Sequence, residues 1–130
     1  MILKSVCAFT NGQGGTLLIG VNDQGEAIGL EHDYATLTGA NRDKFELHLR
    51  NLLNETFGAA FVTTRLRITF PVILGEEICQ IEISPALAPV FVKLADKNGQ
   101  LAEKFYVRSG KSSQELPPSE TQAYIAERFS

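Results

Sequence analysis

Ala8-Phe9-Thr10-Asn11-Gly12-Gln13-Gly14-Gly15-Thr16-Leu17-Leu18-Ile19-Gly20-Val21-Asn22-Asp23-Gln24-Gly25 is the stretch on which the fold turns. An apolar helical segment enters a glycine-rich turn, a continuous apolar run of strand length follows, and an acidic turn closes it. The pair Gly14-Gly15 permits backbone angles and close approaches that a Cβ would block, so it can deliver the chain tightly from helix into strand. Leu17 to Val21 shows no polar alternation, the pattern of a strand buried on both faces. Asn22-Asp23-Gln24-Gly25 reads as the turn beyond it, with the Asp23 carboxylate accessible at the strand's far end.

Working outward, Ile2, Leu3, Val6 and Phe9 recur at helical spacing, so residues 1 to about 10 form a helix with one apolar stripe. Nothing upstream caps it, and the domain is therefore expected to begin before Met1. Ala27 to Leu30 can form a short partner strand, and residues 31–40 read as loop. Asn41 is an N-cap candidate for a helix to about Phe57, with Phe45, Leu49, Leu52, Leu53 and Phe57 on its apolar face, an i,i+4 pair Glu46–Arg50, and Gly58 as terminator. From Val62 the period becomes two: Arg65 and Arg67 alternate with Leu66, Ile68 and Phe70. Val72 to Leu74, a Gly75-Glu76 turn and Ile78 to Ile83 then make the second arm of a hairpin. A second hairpin joins Val90–Leu94 to Lys104–Arg108 through an Asn98-Gly99 turn. Ser109 to Ser113 is a polar turn, and Ser119 with Gln122 fits a capping box for a final helix. These elements predict an α+β single domain over residues 1–130, a mixed sheet of about five or six strands with about three helices.

In this order and spacing the motifs resemble the Alba-like DNA-binding domain of Schlafen proteins, found also in bacterial transcriptional regulators and RecG-related, helicase-annotated proteins. The resemblance rests on Ala8-Phe9-Thr10-Asn11, Gly14-Gly15, Leu17 to Val21, Asn22 to Gly25 and Gly29-Leu30, and continues through Asn41-Arg42-Asp43-Lys44-Phe45, Pro89-Val90-Phe91 and Phe105 to Gly110. It implies a cytoplasmic nucleic-acid-binding module, for DNA or RNA, acting as a homodimer or inside a larger multidomain protein; the alternatives are a truncated metal-dependent nuclease or ATP-binding domain, or a protein-interaction domain. It also implies a metal question. In nucleolytic Schlafen members a carboxylate at the place of Asp23 joins two glutamates from a strand ahead of the first helix to hold a divalent ion. The sequence as given begins after the matching point, so neither glutamate is present in it, and Asn22 replaces the first carboxylate of the usual Asp-Asp pair. One carboxylate is a poor site for a hard cation. Asp23 is thus either a turn residue capping backbone N–H groups or a remnant of that metal site, and no cofactor is expected for the chain as given.

The resemblance includes proteins described as divergent ATPases, which directs attention to the glycines. Gly12-x-Gly14-Gly15 follows a helix and precedes a strand, the reverse of a phosphate-binding loop, and Gly110-Lys111-Ser112 lacks the upstream glycine and the following helix. ATP binding is not expected from either segment. Phe105-Tyr106-Val107-Arg108 places Tyr106 and Arg108 on one face and Phe105 and Val107 on the other. With the apolar pair inward, a ring and a guanidinium face outward, a pairing that suits an unstacked base or a phosphate. The alternative is a Tyr packed at the sheet edge, with Arg108 paired to Glu103 or Glu82.

Composition bounds the partner class. The 130 residues are 44% hydrophobic, enough for one core, and the net charge of -3 with a pI near 5.4 excludes a strongly basic nucleic-acid clamp. The charge is uneven, with four basic against seven acidic residues in 1–60 and eight of each in 61–130. The cations from Arg65 to Lys111 form either a solvated sheet face or a phosphate-facing patch. As nucleic-acid contacts we single out Arg65, Arg67, Lys93, Tyr106, Arg108 and Lys111, with Asn11, Gly14, Gly15 and Asp23 shaping the motif turn. Cys7 and Cys79 lie in apolar segments without metal-ligand or redox spacing and read as buried free thiols. No apolar run reaches the length of a membrane span, and the start lacks the blocks of a secretion signal.

Overall fold

A computed structural model describes residues 2–22, 24–27, 29 and 42–129; Asp23, Leu30, the 31–40 loop and the Asn41 cap lie outside these. The class is α+β. Helix α1 spans Ile2–Asn11 and strand β1 Gly15–Ile19; helices α2 (Arg42–Phe57) and α3 (Ala59–Arg65) follow. Strands β2 (Leu66–Thr69), β3 (Val72–Ile73), β4 (Glu76–Glu77), β5 (Cys79–Ile83), β6 (Val92–Ala95), β7 (Leu101–Lys104), β8 (Tyr106–Ser109) and β9 (Ser112–Glu115) come next, and α4 is Pro118–Arg128. The chain divides into two compact units, one of Met1–Gly15 with Ile83–Ser130 and one of Thr16–Glu82.

In the unit of residues 16–82, α2 forms as its period requires, burying Phe45, Leu49 and Leu53, and Arg50 Nε reaches Glu46 Oε2 at 2.8 Å. Gly58, at φ +91°, ends α2 and precedes α3, so the period-two strand expected from Val62 is corrected to helix over residues 62–65. The strand begins only at Leu66, so Arg65 closes a helix and does not alternate with Arg67 on a sheet face. A three-stranded sheet runs in the order β1-β5-β2. In β5, Cys79, Ile81 and Ile83 are buried while Gln80 and Glu82 are not. The expectation for β1 is corrected: Leu18 is 43% exposed, because among the described residues β1 flanks β5 and is not sandwiched between strands. Beyond β1, Asn22 carries the turn, its Oδ1 accepting from the N–H of Gln24 and of Glu26 at 3.0 and 2.9 Å. Val21 and Ala27 form an antiparallel bridge and Gly29 N–H donates to the Gly20 carbonyl at 3.0 Å, while Ile28 and Leu30 of the expected partner strand lie outside the described residues.

The other unit draws on both ends of the chain. Antiparallel hairpins β6–β7 and β8–β9 meet at Phe105, which is buried and splits the long strand expected over Lys104–Arg108. The helix α1 lies against β8, burying Val6, Cys7 and Ala8. Asn11, fully buried, fastens it: Nδ2 donates to the carbonyls of Val90 (2.9 Å) and Tyr106 (3.0 Å), and Oδ1 accepts from Val90 N–H (2.9 Å). Gly14, at φ +77°, passes so close that a Cβ would strike the Ile83 carbonyl and lie 3.2 Å from Pro85 N. The last helix starts at Pro118, not after Ser119. Proline pre-sets φ for the first helical position, where its missing N–H costs nothing, and Thr121 Oγ1 donates to the Pro117 carbonyl at 3.0 Å.

Candidate functional site

The two-residue loop of hairpin β8–β9 is Gly110-Lys111, with Ser109 facing Ser112 and Arg108 facing Ser113 across the strands. Gly110 has φ +59°, at the first loop position, where a tight turn of this kind needs a glycine. Lys111 is thereby held at the tip, exposed. On α1, Ser5 and Phe9 are one helical turn apart and share a face. Arg108 lies over that face: its guanidinium carbon is 4.7 Å from the centroid of the Phe9 ring, and Nη1 donates to Ser113 Oγ at 3.2 Å. Ser113 Oγ in turn lies 3.5 Å from Ser5 Oγ. Lys4, the next residue along α1, sits with its ammonium 5.8 Å from the centroid of Tyr106.

Lys4, Ser5, Arg108, Lys111 and Ser113 together line an open cleft of about 300 Å³. Three full positive charges and two hydroxyls converge there with no carboxylate among the lining residues, on a chain whose net charge is -3. The guanidinium is held in place by the ring beneath it and the serine beside it, so little side-chain freedom remains to be lost when an anion arrives. Neither lysine has an ion pair among the described residues. Positive charge, several N–H donors and a hydroxyl, with no carboxylate among the lining residues, are the chemistry that can receive an anion of the phosphate type.

Of the six contacts anticipated from sequence, the structure brings Arg108 and Lys111 into this cleft. Lys93 is on β6, exposed and directly opposite Glu103 in the hairpin register. Arg65 and Arg67 belong to the other unit, where Arg67, 77% exposed, has its Nη1 3.9 Å from Glu82 Oε2. Tyr106 is corrected as an outward ring: it is 4% exposed, because the β8 face it shares with Arg108 is covered by α1. Burial, then the Glu115 carboxylate and Cys7, raise its phenol pKa above the ordinary range. Ser113 comes from the polar Ser109 to Ser113 turn, whose composition suits phosphate contact as well as an ordinary loop; Lys4 and Ser5 were not anticipated, and their only local sign is polarity within an otherwise apolar helix. Of the motif-turn residues, Asn11 is a buried fastener, and Gly14 and Gly15 are the closely passed bend from α1 into β1. Among the described residues, no group of three or more His, Cys, Asp or Glu is placed to hold a metal ion, and Asp23 lies outside them.

No curated protein is significantly similar in sequence. Among solved structures the chain is similar to the crystal structure of the DIP2311 protein from Corynebacterium diphtheriae, with a TM-score of 0.61 and 20% identity over 99% of this chain, and it spans 22% of that protein's length. That likeness is one of fold. Residues 1–117 match the family described as Schlafen, AlbA_2, a span that includes α1, the glycine bend and both strands of the hairpin that carries the cleft. The chain belongs to the Schlafen, AlbA_2 family.

Proposed function

We propose that the chain is a nucleic-acid-binding domain that engages the phosphates of DNA or RNA through the Lys4–Arg108–Lys111 cleft. The observation that carries this reading is the convergence of three cations and two hydroxyls without a carboxylate. Membership of a Schlafen/AlbA family points to the same class of ligand. Phosphate contacts dominate nucleic-acid affinity, and they come chiefly from Lys, Arg and small hydroxyl side chains, the set present here. The chain's net charge of -3 opposes approach of a polyanion, so affinity for the isolated chain is expected to be weak and to fall steeply with salt.

The test is fluorescence-anisotropy binding of labelled single- and double-stranded DNA and RNA over a range of salt, with a Lys4→Ala/Lys111→Ala variant beside the parent. Among the described residues these two have no ion pairs to lose, and Lys4 gives up only its 5.8 Å approach to the Tyr106 ring, so the variant is expected to melt close to the parent. The reading predicts a slope of log K against log salt between about -1 and -3, and a loss of about 10-fold or more in the variant at low salt. Absence of salt-sensitive binding by the folded parent, or equal binding by parent and variant, rejects it.

A further inference from the structure

The cleft is a point and not a track. Within its unit the other cations are otherwise placed: Lys104 Nζ is 3.6 Å from Glu115 Oε1, Arg128 is spent on the carbonyls of Gly12 and Ala86, Lys93 faces Glu103, and Lys97 sits in the β6–β7 turn. No row of cations among the described residues of this unit leads away from the cleft to meet successive phosphates of a continuous backbone. What the cleft offers is a concentrated donor set. The residues that carry two ammonium groups, a guanidinium with N–H groups not given to Ser113, and the Ser5 hydroxyl all line one space of about 300 Å³. An internal phosphodiester presents one negative charge and two free oxygens, and would leave most of those donors unused. A phosphomonoester presents three free oxygens and a charge of about -1.5 to -2 at neutral pH, which matches both the number and the charge of the donors.

We propose that this cleft is a phosphomonoester site and that, on a nucleic acid, it takes the phosphorylated end of a strand in preference to an internal phosphodiester. The proposal rests on the nucleic-acid reading above and sharpens its ligand. Arg108, fixed on Phe9 and Ser113, supplies the oriented fork, while Lys4 and Lys111 close on the terminal oxygens from the helix and from the hairpin tip. Five-prime and three-prime phosphates share this chemistry.

The experiment uses the 130-residue chain and one oligonucleotide sequence with an internal fluorophore, prepared with a 5′-phosphate, with a 3′-phosphate, or with hydroxyls at both ends. One phosphorylated strand is expected to bind about 10-fold or more tighter than the hydroxyl-ended strand, an advantage of one to two charge-assisted hydrogen bonds. Inorganic phosphate should compete that advantage away, and Lys4→Ala/Lys111→Ala should abolish it while leaving the melting transition in place. The arm that gains identifies the end. Equal binding of all three strands overturns the proposal and leaves the nucleic-acid reading standing, as does an advantage that survives in the double variant. Failure of the folded parent to bind any strand overturns the nucleic-acid reading itself, and this proposal with it.

Discussion

Burial strips water from the Cys7 thiol, and hydrogen bonds from the Tyr106 backbone and the Asn11 amide restore only part of what a thiolate would lose, so its pKa is pushed up to about 11 from an ordinary 9.0. The folded state therefore holds this proton more tightly than the unfolded chain. The resulting stability is present in full below pH 9.0 and is lost as the pH rises through about 11, a difference of about 2–3 kcal/mol. Unfolding free energies measured from pH 8 to 11 should fall more steeply for the parent than for Cys7→Ala. Parallel curves would remove Cys7 as the cause. The burial of this thiol was legible because it lies in an apolar segment, on the flank of the helix's apolar stripe. The burial of Tyr106 was not. Alternation tells which residues of a strand share a face, but the element that covers the face comes from 95 residues away, where Asn11 takes the Tyr106 carbonyl. The same distance hid Lys4 and Ser5 from a reading that followed charge along the sequence.

At the scale of elements, length and periodicity separate what could be read from what could not. The helix α2 runs over four turns with a repeated apolar face and an i,i+4 ion pair, and its end at Phe57 was predicted from Gly58. The helix α3 has seven residues, among them Val62, Thr63 and Thr64, whose β-branched side chains favour a strand reading. So short a helix is held by its surroundings, here the buried Val62 and the ring of Phe61 stacked 4.8 Å from that of Phe57, rather than by its own propensity. The hairpin β3–β4 offers a different lesson. With Val72 opposite Glu77 and Ile73 opposite Glu76, its loop is Leu74-Gly75, and both residues have positive φ, +52° and +82°. That is the two-residue turn matched to strand twist, and it normally takes Asn-Gly. Leu74 is 97% exposed and packs against nothing that would repay a left-handed leucine. Leu74→Asn should therefore stabilise the protein by about 1 kcal/mol, read as an upward shift of the denaturant midpoint at unchanged slope. A neutral or destabilising result would show that the turn does not need this geometry.

Across the whole chain, the sequence order of the charges does not follow the order in which the fold assembles them. Arg65 and Arg67 stand close to one another in sequence but in the unit of residues 16–82, whereas the cleft joins residues 4 and 5 to residues 108–113. A reader of the sequence had the correct charge on the hairpin and no way to know which helix would face it. The position of that helix depends on a segment outside the family match, which ends at residue 117. In α4, the Tyr124 hydroxyl donates to the Asn11 carbonyl at 2.6 Å, and Arg128 donates to the Gly12 carbonyl at 2.7 and 3.1 Å and to the Ala86 carbonyl at 3.3 Å. The Asn11 and Gly12 carbonyls are at the C-terminal end of α1, where a helix presents unsatisfied acceptors and partial negative charge, and a guanidinium is the side chain suited to meet both. Tyr124 also packs edge-on against Phe105 at 5.8 Å. Arg128→Ala should then cost about 1–3 kcal/mol of unfolding free energy. Deletion of residues 118–130 should cost more than that single change, because the phenol hydrogen bond and the cover over Phe105 go with it. In both variants the loss should extend to the anion cleft, since α1 carries Lys4, Ser5 and the ring beneath Arg108. Chemical denaturation of the three proteins, with anisotropy under conditions where each remains folded, measures both effects. A deletion variant as stable as the parent would show that residues 1–117 position α1 by themselves and that α4 is dispensable to the site.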